Sequence, residues 1–288
     1  MTAHVQELRL NLPHLELAAR LFGPEDGRPV LALHGWLDNA MTFSRLAPYL
    51  EGLRIVAVDL PGHGLSAHRP AGVGYLLQDY VQDVLMAAEQ LGWERFSLLG
   101  HSLGAIISVL FAAALPERVE RLALIDGLIP YTTEPDEAPE KLGNALRAQL
   151  NLPNKRKPVY ETVQQAAQAR LKGVGSVSME AAELLAERGL MPIPGGYTWR
   201  SDARLTLPAT LRLTHEQALA FIKKVQCPAS LVVADKGLLV NIPGIDGLLQ
   251  ELACYEVTRL AGGHHLHLDN EIGARAVADC FNRFFSAA

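Results

Sequence analysis

Phe96-Ser97-Leu98-Leu99-Gly100-His101-Ser102-Leu103-Gly104-Ala105-Ile106-Ile107 decides the fold. Residues 96–99 are a short apolar, β-favouring run, and the pattern over 104–114 is that of a helix buried on nearly all sides. Between them stands Gly-x-Ser-x-Gly. A chain that passes from strand to helix within one residue forces that residue into a strained backbone and pushes its hydroxyl out of the sheet. The glycines on either side let neighbouring backbone come close. The helix that starts at Leu103 aims its free N–H groups at the same point, where they favour developing negative charge. Ser102 is therefore the candidate nucleophile. A turn of purely structural use is the alternative, and the strand-and-helix setting argues against it.

Working outward, the same punctuation recurs. Val30-Leu-Ala-Leu33 runs into His34-Gly35, Arg54-Ile-Val-Ala-Val58 into Asp59, Leu122-Ala-Leu-Ile125 into Asp126, and Leu231-Val-Val-Ala234 into Asp235. Short apolar runs stopped by Gly or a polar residue read as strands buried on both faces. Helical patterns lie between them, for example over 78–91. The expected fold is α/β, a mostly parallel sheet flanked by helices, with the polar strand ends gathered where such sheets bind ligands. The alternation stops after Asp126. Over 127–223 there are helical patterns at 139–150, 160–171, 178–188 and 214–223, punctuated by Pro and Gly, and no convincing core strand. We read residues 1–126 and 224–288 as the core and 127–223 as a helical lid inserted over the strand ends.

A serine hydroxyl needs a base, and in this kind of fold the chain order is nucleophile, acid, histidine. The base lies in Ala261-Gly-Gly-His264-His265-Leu-His267-Leu-Asp269, after a last strand at 255–260. His264 follows the glycine pair and is the first choice; His265 is second, and His267 packs or bonds locally. Two main-chain N–H groups should hold the oxyanion: Leu103, directly after the nucleophile, and Trp36, in the loop after the Val30 strand. The Trp36 ring is expected to wall the pocket, with His101 and Trp199 as further substrate contacts.

These residues resemble the α/β-hydrolase superfamily, through His34-Gly35-Trp36, Asp59-Leu-Pro-Gly-His63-Gly64, Gly100-His-Ser102-Leu-Gly104 and Gly263-His264. More narrowly the chain resembles the serine hydrolase-like proteins, through Leu33-His-Gly-Trp-Leu-Asp-Asn-Ala40, Gly62-His-Gly-Leu-Ser-Ala-His-Arg-Pro70 and Trp199-Arg-Ser-Asp202-Ala-Arg204-Leu205. The resemblance implies a cofactor-free hydrolase of esters or thioesters, fitted with a Ser-His-acid triad and taking a small-molecule substrate. It also locates a departure. Most such proteins carry the acid a few residues past the strand at 231–234, where this chain has Gly237; Asp235 stands earlier. Some haloalkane dehalogenases carry it one strand before, in a pattern similar to Leu124-Ile-Asp126-Gly-Leu-Ile-Pro130. Asp126 is the favoured acid and Asp235 the alternative. The glycine at 237 also leaves open a slow or non-catalytic ligand receptor, and the same triad could serve perhydrolysis or C–C bond cleavage.

Composition narrows the rest. The chain has 288 residues, a net charge of -5, 49% hydrophobic and 20% charged residues, which fits one soluble domain with an insertion and gives no basic face for nucleic acid. Lys155-Arg156-Lys157 reads as a solvated loop. Cys227, Cys254 and Cys280 are odd in number and scattered, so neither a disulfide framework nor a zinc site is expected. Three clustered histidines without a matching carboxylate give no metal site either. The first ten residues lack the basic start and apolar stretch of a signal peptide, and the run 103–115 is too short to span a bilayer. The expectation is a cytoplasmic protein; oligomeric state is not readable.

Overall fold

The computed structural model describes residues 6–252 and 254–287. Residues 1–5, on which the reading of the N-terminus partly rests, lie outside them. The chain runs β1 (Gln6–Asn11), β2 (Glu16–Phe22), β3 (Arg28–Leu33), β4 (Leu53–Val58), α1 (Leu77–Leu91), β5 (Phe96–His101), α2 (Leu103–Ala114) and β6 (Val119–Ile125). Then come α3 (Ala138–Asn151), α4 (Val163–Arg170), α5 (Met179–Gly189), β7 (Leu190–Ile193), β8 (Gly196–Trp199) and α6 (His215–Lys224). It closes with β9 (Ala229–Lys236), α7 (Ile245–Glu251), β10 (Tyr255–Gly263), α8 (Leu266–Asp269) and α9 (Glu271–Ser286).

Eight strands form one sheet in the order β1-β2-β4-β3-β5-β6-β9-β10. Pairing is parallel from β4 to β10, while β2 runs antiparallel to both β1 and β4. The period of two along each strand sends alternate residues to opposite faces. Leu31, Leu33, Val56, Val58 and Leu98 pack with α1 and α2 on one side. Val30, Ala32, Ile55, Ala57 and Leu99 pack with Val277, Phe281 and Phe285 of α9 on the other. Both faces are dry, so these strands carry continuous apolar runs. β1 and β2 escape that reading because neither carries an unbroken apolar run: β1, at the sheet edge, alternates exposed and covered residues over Gln6–Asn11, and Arg20 interrupts the run of β2.

The stretch between β6 and β9 divides by packing. α6 buries Ala218 and Ile222 against the α2 layer, so it sits with the core although it falls inside 127–223. α4 and α5 instead cluster around Ala181, Ala182 and Leu185 together with Met41 and Leu268. β7 and β8 form an antiparallel hairpin outside the main sheet, an element that the Pro- and Gly-rich sequence there conceals. A buried ion pair pins this unit to the core: Arg188 Nε donates to both oxygens of Asp59, at 3.0 and 2.7 Å. Asp59 is the residue that ends β4, and burial of its carboxylate, offset by Arg188, raises its pKa. Lys157 is half-buried rather than solvated, donating to the carbonyls of Trp199 and Ser201; Lys155 and Arg156 are exposed. The three cysteines are free, Cys227 and Cys280 buried and Cys254 exposed. Among the described residues no helix is long and apolar enough to cross a membrane.

Candidate active site

β5 delivers Ser102 and α2 leaves from it. Ser102 has φ 53° and ψ −115°, a backbone region that costs a non-glycine residue about 1–3 kcal/mol. The surroundings hold it there. Its N–H donates to the Ile125 carbonyl at 3.0 Å, and its carbonyl accepts from Ile106 N–H at 3.1 Å. A Cβ on Gly100 would sit 2.6 Å from Gly104 O, and one on Gly104 would run into the Leu33 carbonyl. Both glycines are thus steric requirements, and the second presses the turn against the end of β3, where the Trp36 loop begins.

His264 follows β10 and is buried. Its Nδ1–H donates to Asp126 Oδ2 at 2.6 Å. Asp126 stands at the end of β6 with φ 44°, and its carboxylate is held by further donors: Ala234 N–H at 3.2 Å to Oδ1 and Leu238 N–H at 2.8 Å to Oδ2. Asp235 is exposed and accepts from Gly262 N–H at 2.8 Å, within the turn that leads to His264. Of the two carboxylates weighed from the sequence, Asp126 meets the imidazole and Asp235 braces the loop.

Ser102 and His264 line one small cavity with Trp36, Asp38, Arg170 and Leu238. Its volume is about 20 Å³, room for about one water. The loop after α4 closes it: a Cβ on Gly175 would lie 2.5 Å from His264 Cδ2. The Trp36 indole Nε1–H donates to the Leu205 carbonyl at 3.0 Å, so the ring spans from the β3 loop to the insertion. Leu103 opens α2, and its N–H has no carbonyl one turn earlier in that helix.

Two expected substrate contacts lie elsewhere. His101 is wholly buried behind the site and lines no part of the cavity. Its Nε2–H donates to the His264 carbonyl at 3.0 Å, and burial lowers its pKa to about 3. Trp199 packs in the insertion beside Tyr160, Val163 and Tyr197, with its ring over Gly189. Arg200 likewise turns inward, donating to the Leu190 carbonyl at 2.9 Å.

Sequence reading missed Asp38 and Arg170. Asp38 is buried in the loop after β3 and pairs with His265 Nε2 at 2.9 Å and with the Arg170 guanidinium at 3.0 Å. Burial pushes its carboxyl up, but His265, His101 and Arg170 more than offset that and hold it well below the usual range. Two adjacent histidines therefore each have an aspartate. His267 is also buried, with its pKa lowered by burial, and its Nε2 lies 3.3 Å from the Thr42 hydroxyl. Among the described residues, ligand atoms of Asp38, His101 and His265 lie within 4.8 Å of one another, a grouping of metal-ligand type. Arg170 already compensates the carboxylate there, so the cluster is balanced by a protein cation. A polar residue in the His34–Ala40 loop was the only sequence signal for Asp38; Arg170 gave none.

Residues 28–271 match the family model described as alpha/beta hydrolase fold. A serine hydrolase-like protein of Danio rerio is 35% identical over 98% of this chain and 89% of its own length. The crystal structure of a hypothetical protein from Pseudomonas aeruginosa superposes with a TM-score of 0.96 at 67% identity, covering 98% of this chain and 100% of that one. A thioesterase domain from the curacin biosynthetic pathway superposes with a TM-score of 0.83 at 27% identity, over 96% and 98% of the two chains.

Proposed function

The chain belongs to the α/β-hydrolase family and is related to the serine hydrolase-like proteins, and from that premise we propose that it hydrolyses a carboxylic ester or thioester through an acyl-enzyme on Ser102. His264 takes the Ser102 proton as the hydroxyl attacks the carbonyl. Asp126 fixes the imidazole with its Nδ1 proton outward to the carboxylate and stabilises the cation that forms. The main-chain N–H groups of Trp36 and Leu103 receive the oxyanion. His264 then protonates the leaving alcohol or thiol, and water repeats the sequence to free the acid.

The observation that carries this reading is the 2.6 Å bond from His264 to Asp126, made beside the cavity that Ser102 lines. It also favours the catalytic reading over a non-catalytic receptor, for which the glycine at 237 was the motive. The likeness to a thioesterase domain supports keeping thioesters in the substrate class. Residues 127–223 act as the lid, less α6, which packs with the core: Arg170 and Val174 reach the cavity, and the loop over His264 has to move before an acyl group enters.

A fluorophosphonate probe should label the wild-type protein and spare Ser102→Ala, and esters and thioesters of graded acyl length should be turned over by the first only. Equal labelling of both proteins overturns the assignment.

A further inference from the structure

We propose that Arg170 binds a carboxylate carried by the substrate, so that the substrate is a short half-ester or half-thioester of a dicarboxylic acid; this rests on the acyl-enzyme reading of Ser102.

Arg170 is the last residue of α4, and its side chain is 10% exposed. It lines the same small cavity as Ser102 and His264. A guanidinium has five N–H donors in a planar fork. One arm donates to Asp38 Oδ1 at 3.0 Å. The other reaches the Val174 and Gly175 carbonyls only at 3.3 and 3.5 Å. The Nε–H is buried with no partner. An unsatisfied buried donor on a charged group is costly, and it persists where a ligand completes it.

The sharing of Asp38 points the same way. Asp38 is a single carboxylate set between two basic side chains: Arg170 at one oxygen and His265 at the other. His265 turns its second nitrogen to the Ser176 carbonyl at 3.0 Å, another acceptor. Arg170 thus shares its one carboxylate with His265 and lines the cavity with a donor left over. A carboxylate suits that place better than a neutral carbonyl, because a charge-assisted bond to guanidinium is about twice as strong as a neutral one. Leu238 and Trp36 line the same cavity and would flank a short apolar spacer once the loop over His264 has moved.

The alternative role for Arg170 is a latch that only ties the 171–177 loop to Asp38. The two roles separate on matched substrates. Monomethyl esters of C3 to C6 dicarboxylic acids should be compared with neutral methyl esters of equal length and with the matching ω-amides. Substrate recognition predicts that at least one half-ester exceeds both its neutral partner and its amide about tenfold or more in kcat/KM, mainly through KM. Arg170→Gln should bring that ratio to about one, with Arg170→Lys retaining part of it. As a readout free of turnover, Ser102→Ala protein should bind the free C3–C6 dicarboxylates by calorimetry and lose that binding when Arg170→Gln is added. Equal kcat/KM for charged and neutral esters in the wild type, or an equal fall of both in Arg170→Gln, overturns the proposal while leaving Ser102 as nucleophile. Preference for the amide overturns it as well. Failure of the acyl-enzyme reading would look different: no ester hydrolysed and no fluorophosphonate label on Ser102.

Discussion

The Asp126 carboxylate occupies the space that a side chain on Gly237 would need. A Cβ built on Gly237 falls on that carboxylate, well inside contact distance. The glycine that breaks the family pattern is therefore the counterpart of the aspartate one strand away. Asp126 reaches His264 from the end of β6, and a side chain at 237, just past β9, would collide with it. Gly237→Ala should displace the carboxylate and cut kcat by about a hundredfold, in line with the sensitivity of catalytic geometry to shifts of about 1 Å. The double change Asp126→Gly with Gly237→Asp should recover much of the loss of Asp126→Gly alone. Glycine suits position 126, where φ is 44°, and the new carboxylate starts beside the vacated place. A double variant no better than Asp126→Gly would mean that the two positions are not exchangeable; ester turnover of the three proteins decides it.

Asp126→Asn and Asp235→Asn should separate widely. Without the carboxylate, His264 loses the partner that fixes its tautomer, and kcat should fall by about 10³–10⁴-fold. Asp235 is exposed and braces Gly262 N–H, so Asp235→Asn should cost less than about tenfold, on the scale of one surface hydrogen bond. Steady-state rates on one ester suffice, and the reverse order would make Asp235 the acid.

What the sequence conveyed follows the physics of each region. Strands buried on both faces announce themselves by unbroken apolar runs, so β3 to β6 and β9 were legible, and the elbow at Ser102 was legible because its glycines are sterically compulsory. β1 and β2 were not, because β1 lies at the sheet edge and needs no continuous apolar run, and Arg20 interrupts that of β2. The β7–β8 hairpin was hidden because its residues, Leu190–Ile193 and Gly196–Trp199, are few and flanked by Pro and Gly. His264 was visible from its glycine pair. Arg170 was not, because its meeting with Asp38 joins residues 132 apart and depends on how the insertion folds back. His101 misled for a related reason: its place beside Ser102 suggests the pocket, yet the pleat turns it away and buries it.

That buried ring has a role to test. His101 Nε2–H to the His264 carbonyl ties the residue before Ser102 to the backbone of His264. His101→Leu should lower kcat by about ten- to a hundredfold with little change in KM, since the oxygen it leaves unpaired lies behind the site and not in it. His101→Gln keeps a donor at similar reach and should recover part of the rate. A KM effect as large as the kcat effect would return His101 to the substrate side.

Acid should unfold the protein by protonating buried rings. Burial lowers the pKa of His34 to about 4 and of His63 and His101 to about 3, against roughly 6.5 in an unfolded chain. Between pH 6.5 and about 4 the unfolded state therefore binds protons that the native state refuses. Stability from these groups is complete above pH 6.5 and is lost as pH falls. Each contributes a slope of at most about 1.4 kcal/mol per pH unit, so the three together approach about 4 kcal/mol per unit near pH 5. Asp59 and Asp83, raised by burial, take up protons in the native state and offset part of this toward pH 4. Urea unfolding at pH 7.5, 6.5, 5.5 and 5.0 should show a flat region followed by a steep fall. His63→Gln removes one titrating ring, and its slope below pH 6 should be shallower by up to about 1.4 kcal/mol per unit. A wild-type stability unchanged from pH 7.5 to 5.0 would mean that these histidines accept protons inside the fold.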